Sequence, residues 1–419
     1  MHSSILKNDM KTIWIVGQAG PIEGENWRDY RNNQFGKYLS EKCGYNVIWW
    51  TSNFSHHFKK YRSKGWKDIA VNSKYIIRLV PSTSYTKNFS VGRFRCIRSF
   101  AHNAGLRFET EEVPDLIIGN CVMTKGHPIF PYAKKHNIPI IVDQGDIWPE
   151  FIEKNMGFLS KIGHIIFLPL YRSRRKNYYN ANAFIALGRN YLDFARNVAS
   201  NGKEKPYALV YNGIDVNKFR TMAEKDVDSS LKKLINKQEN EKLCIFAGTF
   251  GPSYDIDTVL KCAERLYKEN RPIKFLFAGS GPKQVDIENV AKRCNNVIFL
   301  GSLKPEQLVP VYCLCDIGLC TYTSKSNVDM PDKFYDYSAA GLAIINSLTE
   351  EVADHVVNSK VGYNYAANNE DDLYKKIRDI IDNEELLQEM KENSANLGKQ
   401  FDMNTQNAKL YECIKQVIK

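Results

Sequence analysis

Three side chains that could hold a phosphorylated, hydroxyl-bearing ligand lie close together in the last quarter of the sequence. Asp329, Lys333 and Asp336 occupy a proline-broken segment that leads through Gly341 into the apolar run Leu342–Asn346. A carboxylate can accept hydrogen bonds from two hydroxyl groups, and a lysine ammonium suits a diphosphate. We therefore expect a ligand site here, with an exposed helix lysine as the alternative for Lys333.

Glycine-rich loops follow several apolar runs, and glycine lets backbone N–H groups approach a phosphate closely. The loop Gly17–Gly24 follows the first apolar run, and its Gly20 is a candidate for ligand binding, although the spacing is not GxGxxG. The alternative is a strand-to-helix loop without a ligand. Three further loops suggest a surface for phosphate and ribose in the second half, with the candidate binding residues Gly248, Thr249, Gly251, Gly279 and Ser280.

Metal-binding patterns are weak. Asp255-Ile256-Asp257 could be taken for an Asp-x-Asp metal motif, but it begins a predicted helix, where paired carboxylates are ordinary N-terminal capping charges. The ten cysteines form no CxxC pair, and several lie in apolar runs, as expected of small buried residues in a reducing compartment. We therefore predict no metal site and no cofactor.

Short apolar runs alternate with helix-length amphipathic segments along the whole chain, which predicts parallel sheets covered on both faces. The α/β fold class follows, with two Rossmann-like, doubly wound domains. We place them at residues 1–205 and 206–400, followed by a C-terminal helix at 401–419 that can pack back on the first domain. The predicted strands are Thr12–Gly17, Val47–Thr51, Tyr75–Val80, Leu116–Gly119, Ile138–Val142, Ala183–Leu187, Leu243–Gly248, Ile273–Ala278, Val297–Leu300, Ile317–Cys320, Leu342–Asn346 and Gly362–Tyr365.

An ordered set of short motifs resembles the large family of retaining GT-B glycosyltransferases often called family 4, especially its bacterial polysaccharide members. The motifs are Pro114–Ile118, Ile138–Ile141, Asp146–Pro149, Asn212–Asp215, Phe277–Pro282 and the predicted helix Asp336–Gly341. The resemblance implies two domains that face a central cleft. It also implies a nucleotide-sugar donor, UDP- or GDP-linked, held without metal by the C-terminal half. In this family an acidic residue on the helix binds the ribose hydroxyls of the donor, and the resemblance implies that Asp336 occupies its position.

The sequence departs from the family pattern at three places. The family has two acidic residues eight positions apart, but Val328 stands eight before Asp336 and Asp329 is its neighbour. The usual Arg and Lys for the donor diphosphate are missing after the first C-terminal strand, so Lys333 is the best substitute. Gly145 replaces the family's histidine, which leaves Asp146 and His127 as catalytic candidates. A structural role is the alternative for His127.

The positive charge is concentrated in the first half. Residues 1–200 contain 29 basic and 15 acidic residues, a net charge of +14, whereas residues 201–419 carry −3. Such a field favours an anionic partner, which could be nucleic acid, phospholipid headgroups or a phosphorylated substrate, and a solvated basic surface is the alternative. The diphosphate of a lipid-linked acceptor and an anionic membrane surface would both fit this charge. No apolar run reaches about 18 residues. Ile162–Tyr171, followed by basic residues, is either a surface anchor or a core helix.

The combined prediction is a hexosyltransferase-type enzyme of cell-surface polysaccharide synthesis. It would transfer sugar to a glycan or lipid-linked glycan acceptor. The start, Met1–Met10, lacks an apolar signal-peptide core, so we expect a cytoplasmic protein, peripheral on the inner face of the plasma membrane. A GT-B-shaped epimerase acting on UDP-sugars is one alternative. The other is a basic nucleic-acid-binding α/β protein, for which Tyr171–Tyr179 interleaves aromatic and basic residues, although we predict no nucleic-acid partner.

Overall fold

The computed structural model describes residues 10–22, 24–25, 31–88, 90–120, 127–150, 153, 160–200, 204–326 and 328–418. The chain divides into two compact units. Unit 1 comprises the described residues up to Asn212 together with those from Gln406 onward, and unit 2 comprises Gly213–Thr405. Each unit is a doubly wound α/β domain, as the sequence predicts.

Unit 1 contains an eight-stranded sheet in the order β3-β4-β2-β1-β5-β6-β7-β8. The strands run parallel except β3, which pairs antiparallel with β4. The described elements are β1 (Thr12–Val16), α1 (Arg31–Glu41), β2 (Asn46–Ser52), β3 (Lys67–Asn72), β4 (Tyr75–Val80), α2 (Val91–Phe108), β5 (Leu116–Asn120), α3 (Ile129–His136), β6 (Ile140–Gln144), α4 (Ser160–Asn180), β7 (Ala183–Ala186), α5 (Arg189–Ala199) and β8 (Tyr207–Leu209).

The sheet of unit 1 is therefore parallel, as predicted, except at its edge, where β3 was not among the predicted strands. Strand β3 is polar and largely exposed, so it lacks the continuous apolar run by which a buried parallel strand is recognised. A two-residue connection joins it to β4, and such a short link permits only antiparallel pairing.

Unit 2 contains a six-stranded sheet in the order β11-β10-β9-β12-β13-β14, with parallel pairing throughout the described strands. The described elements are α6 (Val216–Ala223), α7 (Ser229–Ile235), β9 (Lys242–Thr249), α8 (Ile256–Lys268), β10 (Ile273–Ser280), α9 (Gln284–Arg293), β11 (Val297–Gly301), α10 (Pro305–Leu314), β12 (Ile317–Cys320), α11 (Asp332–Ala339), β13 (Ala343–Asn346), α12 (Glu351–Asn358), β14 (Gly362–Asn364), α13 (Glu370–Ile381) and α14 (Glu384–Gln400).

The last helix, α15 (Met403–Val417), contributes its apolar face to the core of unit 1. Leu410, Cys413 and Ile414 are buried there with the core-facing residues of β1, β2 and β4. A second apolar cluster covers the opposite face of the same sheet, between the strands and the helices α2, α3 and α5. Unit 1 is thus a three-layer domain with a core on each side of its sheet.

The strand order reverses beside β1 in unit 1 and beside β9 in unit 2. In doubly wound sheets, ligands bind at the carboxyl ends of the strands near such a reversal. The loops after these strands are therefore the places where a site is expected. Among the described residues, no helix is long and apolar enough to cross a membrane.

Candidate functional site

In unit 2, the glycines that end β9 and β10 lie side by side. Gly248 pairs with Gly279, and Thr249 pairs with Ser280. A Cβ atom on Gly279 would lie 1.8 Å from the Gly248 carbonyl oxygen, and both glycines have positive φ angles, 138° and 145°. Only glycine fits this close approach. Because Gly248, Thr249 and Ser280 are at least partly exposed, the strand ends form an open backbone surface.

The next residues of this surface turn inward. The Phe250 N–H donates to the Ser280 carbonyl oxygen at 2.9 Å. A Cβ atom on Gly281 would lie 2.7 Å from the Phe250 backbone, so glycine is required at 281. Gly251, in contrast, is buried but has no neighbour closer than 3.7 Å to an added Cβ atom, and its φ is ordinary. Of the two glycines, Gly281 is the one on which the loop depends sterically.

Lys333 lies at this surface inside a box of aromatic rings. Its Nζ is 3.6 Å from the ring centroid of Phe246, 4.4 Å from that of Tyr254 and 5.3 Å from that of Tyr322. An added Cβ atom on Gly248 would lie 3.6 Å from the same nitrogen. The Lys333 side chain is buried, so the alternative of an exposed helix lysine is wrong.

The Lys333 ammonium has no hydrogen-bond partner among the described residues. Burial lowers the pKa of Lys333 to about 7, against the opposing influence of Cys320 and the Asp336 carboxylate. Cation–π attraction offsets part of the desolvation but supplies no hydrogen bond. The group is therefore a buried cation with unused donors beside an open backbone surface, which suits an anionic ligand.

Helix α11 carries Lys333 and Asp336 and is fastened to the end of β9. Strand β12 pairs with β9 only as far as Ile245. Beyond that point the Ala247 N–H donates to the Tyr337 hydroxyl oxygen at 3.1 Å. The Tyr337 ring lies on Gly318, where an added Cβ atom would come within 2.5 Å of it. The tyrosine thus fills the gap between the strands and fixes the helix beside the glycine surface.

The two predicted carboxylates differ in environment. Asp336 is half-buried on α11, and its charge is close enough to raise the pKa of Lys333. Asp329 is buried in the loop before that helix. Unit 2 thus brings Asp336 and Lys333 together, with Lys333 at the glycine surface. The ribose role of Asp336 stays a prediction.

In unit 1, a pocket of about 280 Å³ opens among the loops that follow the strands. It brings together Gly20, His127 and Asp146, which the sequence places on three separate loops. Gly20, predicted to bind the donor, therefore lies with the two catalytic candidates. The walls are mainly apolar and aromatic, with a few convergent polar groups, as in many small-molecule sites.

The loop that carries Gly20 is fastened to β2. The Trp49 Nε1–H donates to the Gly17 carbonyl oxygen at 3.0 Å, and the Arg62 guanidinium donates to the Gly20 carbonyl oxygen at 2.7 Å. Gly20 has a φ of 134°, and an added Cβ atom would lie 3.2 Å from the Trp49 ring. The glycine is therefore required by the loop itself, whether or not a ligand binds.

Asp146 is positioned by the end of β6. The Gln144 side-chain amide donates to the Asp146 carbonyl oxygen at 2.5 Å, and the Tyr178 hydroxyl holds the other end of the Gln144 amide. Part of the Asp146 side chain is exposed, yet surrounding protein displaces enough water to raise the pKa of its carboxyl group. A hydrogen bond from Trp148 and the charge of Arg93 act in the opposite direction. A carboxyl group with a raised pKa suits proton transfer.

His127 enters the pocket as a neutral imidazole. Burial lowers the pKa of His127 to about 4. Its Nδ1 atom is buried and has no hydrogen-bond partner among the described residues. A buried nitrogen without a protein partner is unusual in folded proteins. His127 is therefore available to donate or accept one hydrogen bond at the pocket wall.

Sequence reasoning missed several residues of this pocket because they come from segments far apart in the chain. They include Arg31, His56, Tyr85 and Arg93. Arg31 is structural, since its guanidinium Nε lies 2.8 Å from both carboxylate oxygens of the fully buried Asp143. No spacing rule connects these positions. The pairing of β2 with β1 and with β4 brings together the segments that follow these strands.

Asp255 precedes α8, as predicted, but its carboxylate does not cap the helix. It is buried and accepts hydrogen bonds from the Tyr365 hydroxyl at 2.9 Å and the Asn368 N–H at 2.8 Å. Asp257 instead forms an ion pair with Lys283. The capping role predicted for Asp255 is therefore wrong. In the part of the chain that the structure describes, no group of three or more His, Cys, Asp or Glu side chains could hold a metal ion. The nine cysteines described there are free, and Cys121 lies outside the described residues.

Residues 228–397 match the model of the family described as Glycosyl transferases group 1. This segment is similar to that family, and we call it the group 1 segment. It includes the glycine surface, Lys333 and Asp336, whereas the pocket of unit 1 lies outside it.

Among curated relatives, a chitobiosyldiphosphodolichol beta-mannosyltransferase from Debaryomyces hansenii is 23% identical over 189 residues, which is 41% of this chain and 40% of the relative. The chain therefore matches about two fifths of that relative's length. The group 1 segment is similar in length to this match.

The fold is GT-B. Sucrose-phosphate synthase from Thermosynechococcus elongatus superposes with a TM-score of 0.70 at 14% identity, covering 97% of this chain and 98% of that one. HepE from Anabaena, solved in complex with UDP, superposes with a TM-score of 0.65 at 13% identity, covering 97% and 100%. At these identities the likeness concerns the fold alone.

Proposed function

We propose that the protein is a metal-independent glycosyltransferase that moves a sugar from a nucleotide-sugar donor, with retention, to a glycan or lipid-linked glycan acceptor. The observation that carries this proposal is the Lys333 ammonium. It is buried, lacks a hydrogen-bond partner among the described residues, and lies beside the glycine surface of the group 1 segment.

The donor diphosphate would lie on the ends of β9 and β10. Backbone N–H groups of the glycine surface and the Lys333 ammonium would stabilise the charge that develops on the leaving diphosphate. Asp336 would accept hydrogen bonds from the ribose hydroxyls, with Asp329 on the adjacent loop. Support for a UDP- or GDP-linked donor comes from the group 1 segment and from HepE, whose structure contains UDP.

The acceptor would occupy the pocket of unit 1. Asp146, with its raised pKa, would take the proton from the acceptor hydroxyl, and His127 would orient the acceptor through one hydrogen bond. The Debaryomyces relative is named for an acceptor in which a glycan is joined through a diphosphate to a lipid. A lipid-linked acceptor is therefore the class that we favour for cell-surface polysaccharide synthesis.

Such an acceptor would be reached at a membrane surface from the cytoplasm. Helix α4 exposes Ile162, Ile165 and Ile166, which lie on one face at a spacing of three and four residues. The exposed cations Arg172 and Lys176 continue that face toward the end of the helix. An apolar patch followed by cations suits peripheral binding to an anionic leaflet.

Product analysis tests the transfer reaction. The protein is incubated with nucleotide-sugar, with and without a lipid-linked glycan fraction, and the products are separated by mass spectrometry and NMR. We expect acceptor-dependent release of the nucleoside diphosphate and a new glycosidic bond. An Asp336→Ala variant should lose most of this turnover, and Asp226→Ala, at an exposed site of the same unit, should not.

Two outcomes would contradict the proposal. Conversion of the donor sugar without acceptor would favour the epimerase alternative. Full turnover and donor affinity in the Asp336→Ala variant would remove the donor role of that carboxylate. The anomeric configuration of the product, read by NMR, tests retention separately.

A further inference from the structure

Two cations lie together at the pocket of unit 1, and we call Lys59 and Arg93 the cation pair. Arg93 lines the pocket from the first turn of α2, with its guanidinium carbon 5.1 Å from the ring centroid of Trp148. The Lys59 Nζ is 4.3 Å from the ring centroid of Tyr85. Both rings also line the pocket. Aromatic stacking therefore holds both cations in place at its edge.

The two charges are close enough to repel each other. Burial lowers the pKa of Lys59, and the charge of Arg93 lowers it further. His56, which lines the same pocket, has a pKa lowered to about 4 by burial together with both cations. Holding two like charges in a partly desolvated place is unfavourable unless an anion joins them.

No carboxylate among the described residues forms an ion pair with either cation. Their described side-chain hydrogen bonds go to Asn88, from Lys59 at 2.6 Å and from Arg93 at 3.2 Å. Asp146, across the pocket, feels the charge of Arg93 but forms no ion pair with it. The buried cation Arg31 of the same unit, in contrast, is neutralised by Asp143.

We infer that the cation pair binds a phosphate or diphosphate group of the acceptor, which places the acceptor's anionic end at the start of α2. Guanidinium and ammonium groups together match a phosphate dianion, one through a planar fork and the other as a point charge. The apolar walls beyond the cations receive the uncharged part of the acceptor. This inference rests on the proposed function for the identity of the ligand, but the anion site itself does not.

Titration with inorganic pyrophosphate by calorimetry tests the site without any transfer reaction. It uses the full chain carrying Lys333→Met, so that the lysine of the glycine surface does not contribute. A double variant, Lys59→Gln with Arg93→Gln, is compared with a control, Arg95→Gln with Arg98→Gln. The control removes two exposed cations of α2 and therefore the same net charge.

We expect the pyrophosphate affinity to fall about tenfold or more in the Lys59/Arg93 variant and to change less than about twofold in the control. Equal losses in both variants would show a general charge effect and would overturn the inference. Undetectable binding to the unsubstituted cation pair at millimolar pyrophosphate would do the same. Matching thermal unfolding midpoints confirm that the variants are folded.

A second measurement separates the acceptor from the donor as the source of the phosphate. In the Lys59/Arg93 variant with native Lys333, we expect the KM for a diphosphate-linked acceptor to rise about tenfold, with an unchanged affinity for UDP. A fall in UDP affinity with an unchanged acceptor KM would assign the cation pair to the donor. If no transfer is found in any variant, the proposed function fails while the pyrophosphate result still stands.

Discussion

Lys333 has a chemistry that depends on side chains far from it in the sequence. The Pro-x-Lys spacing before Asp336 marks it as a candidate, but Phe246, Tyr254 and Tyr322 belong to other segments. The box they form turns a residue that is usually solvated into a buried cation with a pKa near 7. The same applies to Asp146 and His127, because the protein surrounding them in the folded pocket raises the pKa of Asp146 and lowers the pKa of His127.

The lowered pKa of Lys333 makes stability depend on pH in a definite direction. Below about pH 7 the lysine is protonated in both the folded and the unfolded state. The cost of burying its charge then lowers the free energy of unfolding by its full amount. Between pH 7 and the pKa of the unfolded chain, near 10.5, the unfolded state binds more protons, and the free energy of unfolding gains up to about 1.4 kcal/mol per pH unit.

Urea unfolding of wild type and Lys333→Met from pH 6 to 9 measures this contribution. We expect the difference in stability, wild type minus variant, to be most negative at pH 6 and to rise above pH 7. Other groups cancel in the comparison. A difference that is flat with pH would contradict the burial of a titrating Lys333.

At the scale of elements, the continuous apolar runs predict most strands to within two residues at each end. Strand β3 was missed because it is polar, and the short strand β8 was missed as well. The role of Asp255 could not be predicted either, because its partners Tyr365 and Asn368 lie about 110 residues further along. Local spacing indicates where a helix begins, whereas the partner of a buried carboxylate depends on the tertiary fold.

Because the Tyr337 hydroxyl anchors α11 to β9, we expect its removal to lower both stability and donor affinity. Tyr337→Phe removes the oxygen that accepts from the Ala247 N–H and leaves that buried donor without a partner, at a cost of about 1–3 kcal/mol. We expect a lower free energy of unfolding and a weaker affinity for the nucleotide-sugar, because α11 carries Lys333 and Asp336.

Chemical denaturation and calorimetric titration measure both quantities. Tyr267→Phe, on the partly exposed face of α8, is the matched control and should leave both unchanged. Native stability in Tyr337→Phe would contradict the fastening role of this hydroxyl.

At the scale of the whole molecule, sequence reasoning identifies the two-domain GT-B class, the C-terminal helix and the excess of positive charge in the first half. The GT-B class follows from strand alternation together with the resemblance of ordered motifs. The sequence does not predict which residues from distant loops meet in the pocket, because the pairing of the strands decides which loops become neighbours. The cation pair is an example, since Lys59 and Arg93 share no motif.

The charge of the first half and the exposed face of α4 predict binding to anionic vesicles. We expect flotation with vesicles that contain phosphatidylglycerol, and much less with phosphatidylcholine alone. Arg172→Gln with Lys176→Gln should weaken this binding more than tenfold, since each basic residue near an anionic surface contributes about 1 kcal/mol. Arg95→Gln with Arg98→Gln is the charge-matched control. Equal flotation on both kinds of vesicle would contradict a role for charge.

The most direct test of the central claim is donor binding by unit 2. Thermal unfolding of the full chain is followed with a panel of UDP-, GDP- and TDP-sugars, because a ligand at 100 times its Kd stabilises the native state by about 2.7 kcal/mol. We predict that one nucleotide class raises the Tm. The rise should be lost or strongly reduced in Lys333→Met and Asp336→Ala but kept in Asp226→Ala. A Tm unchanged by every donor, or a rise retained in full by both variants, would contradict the account.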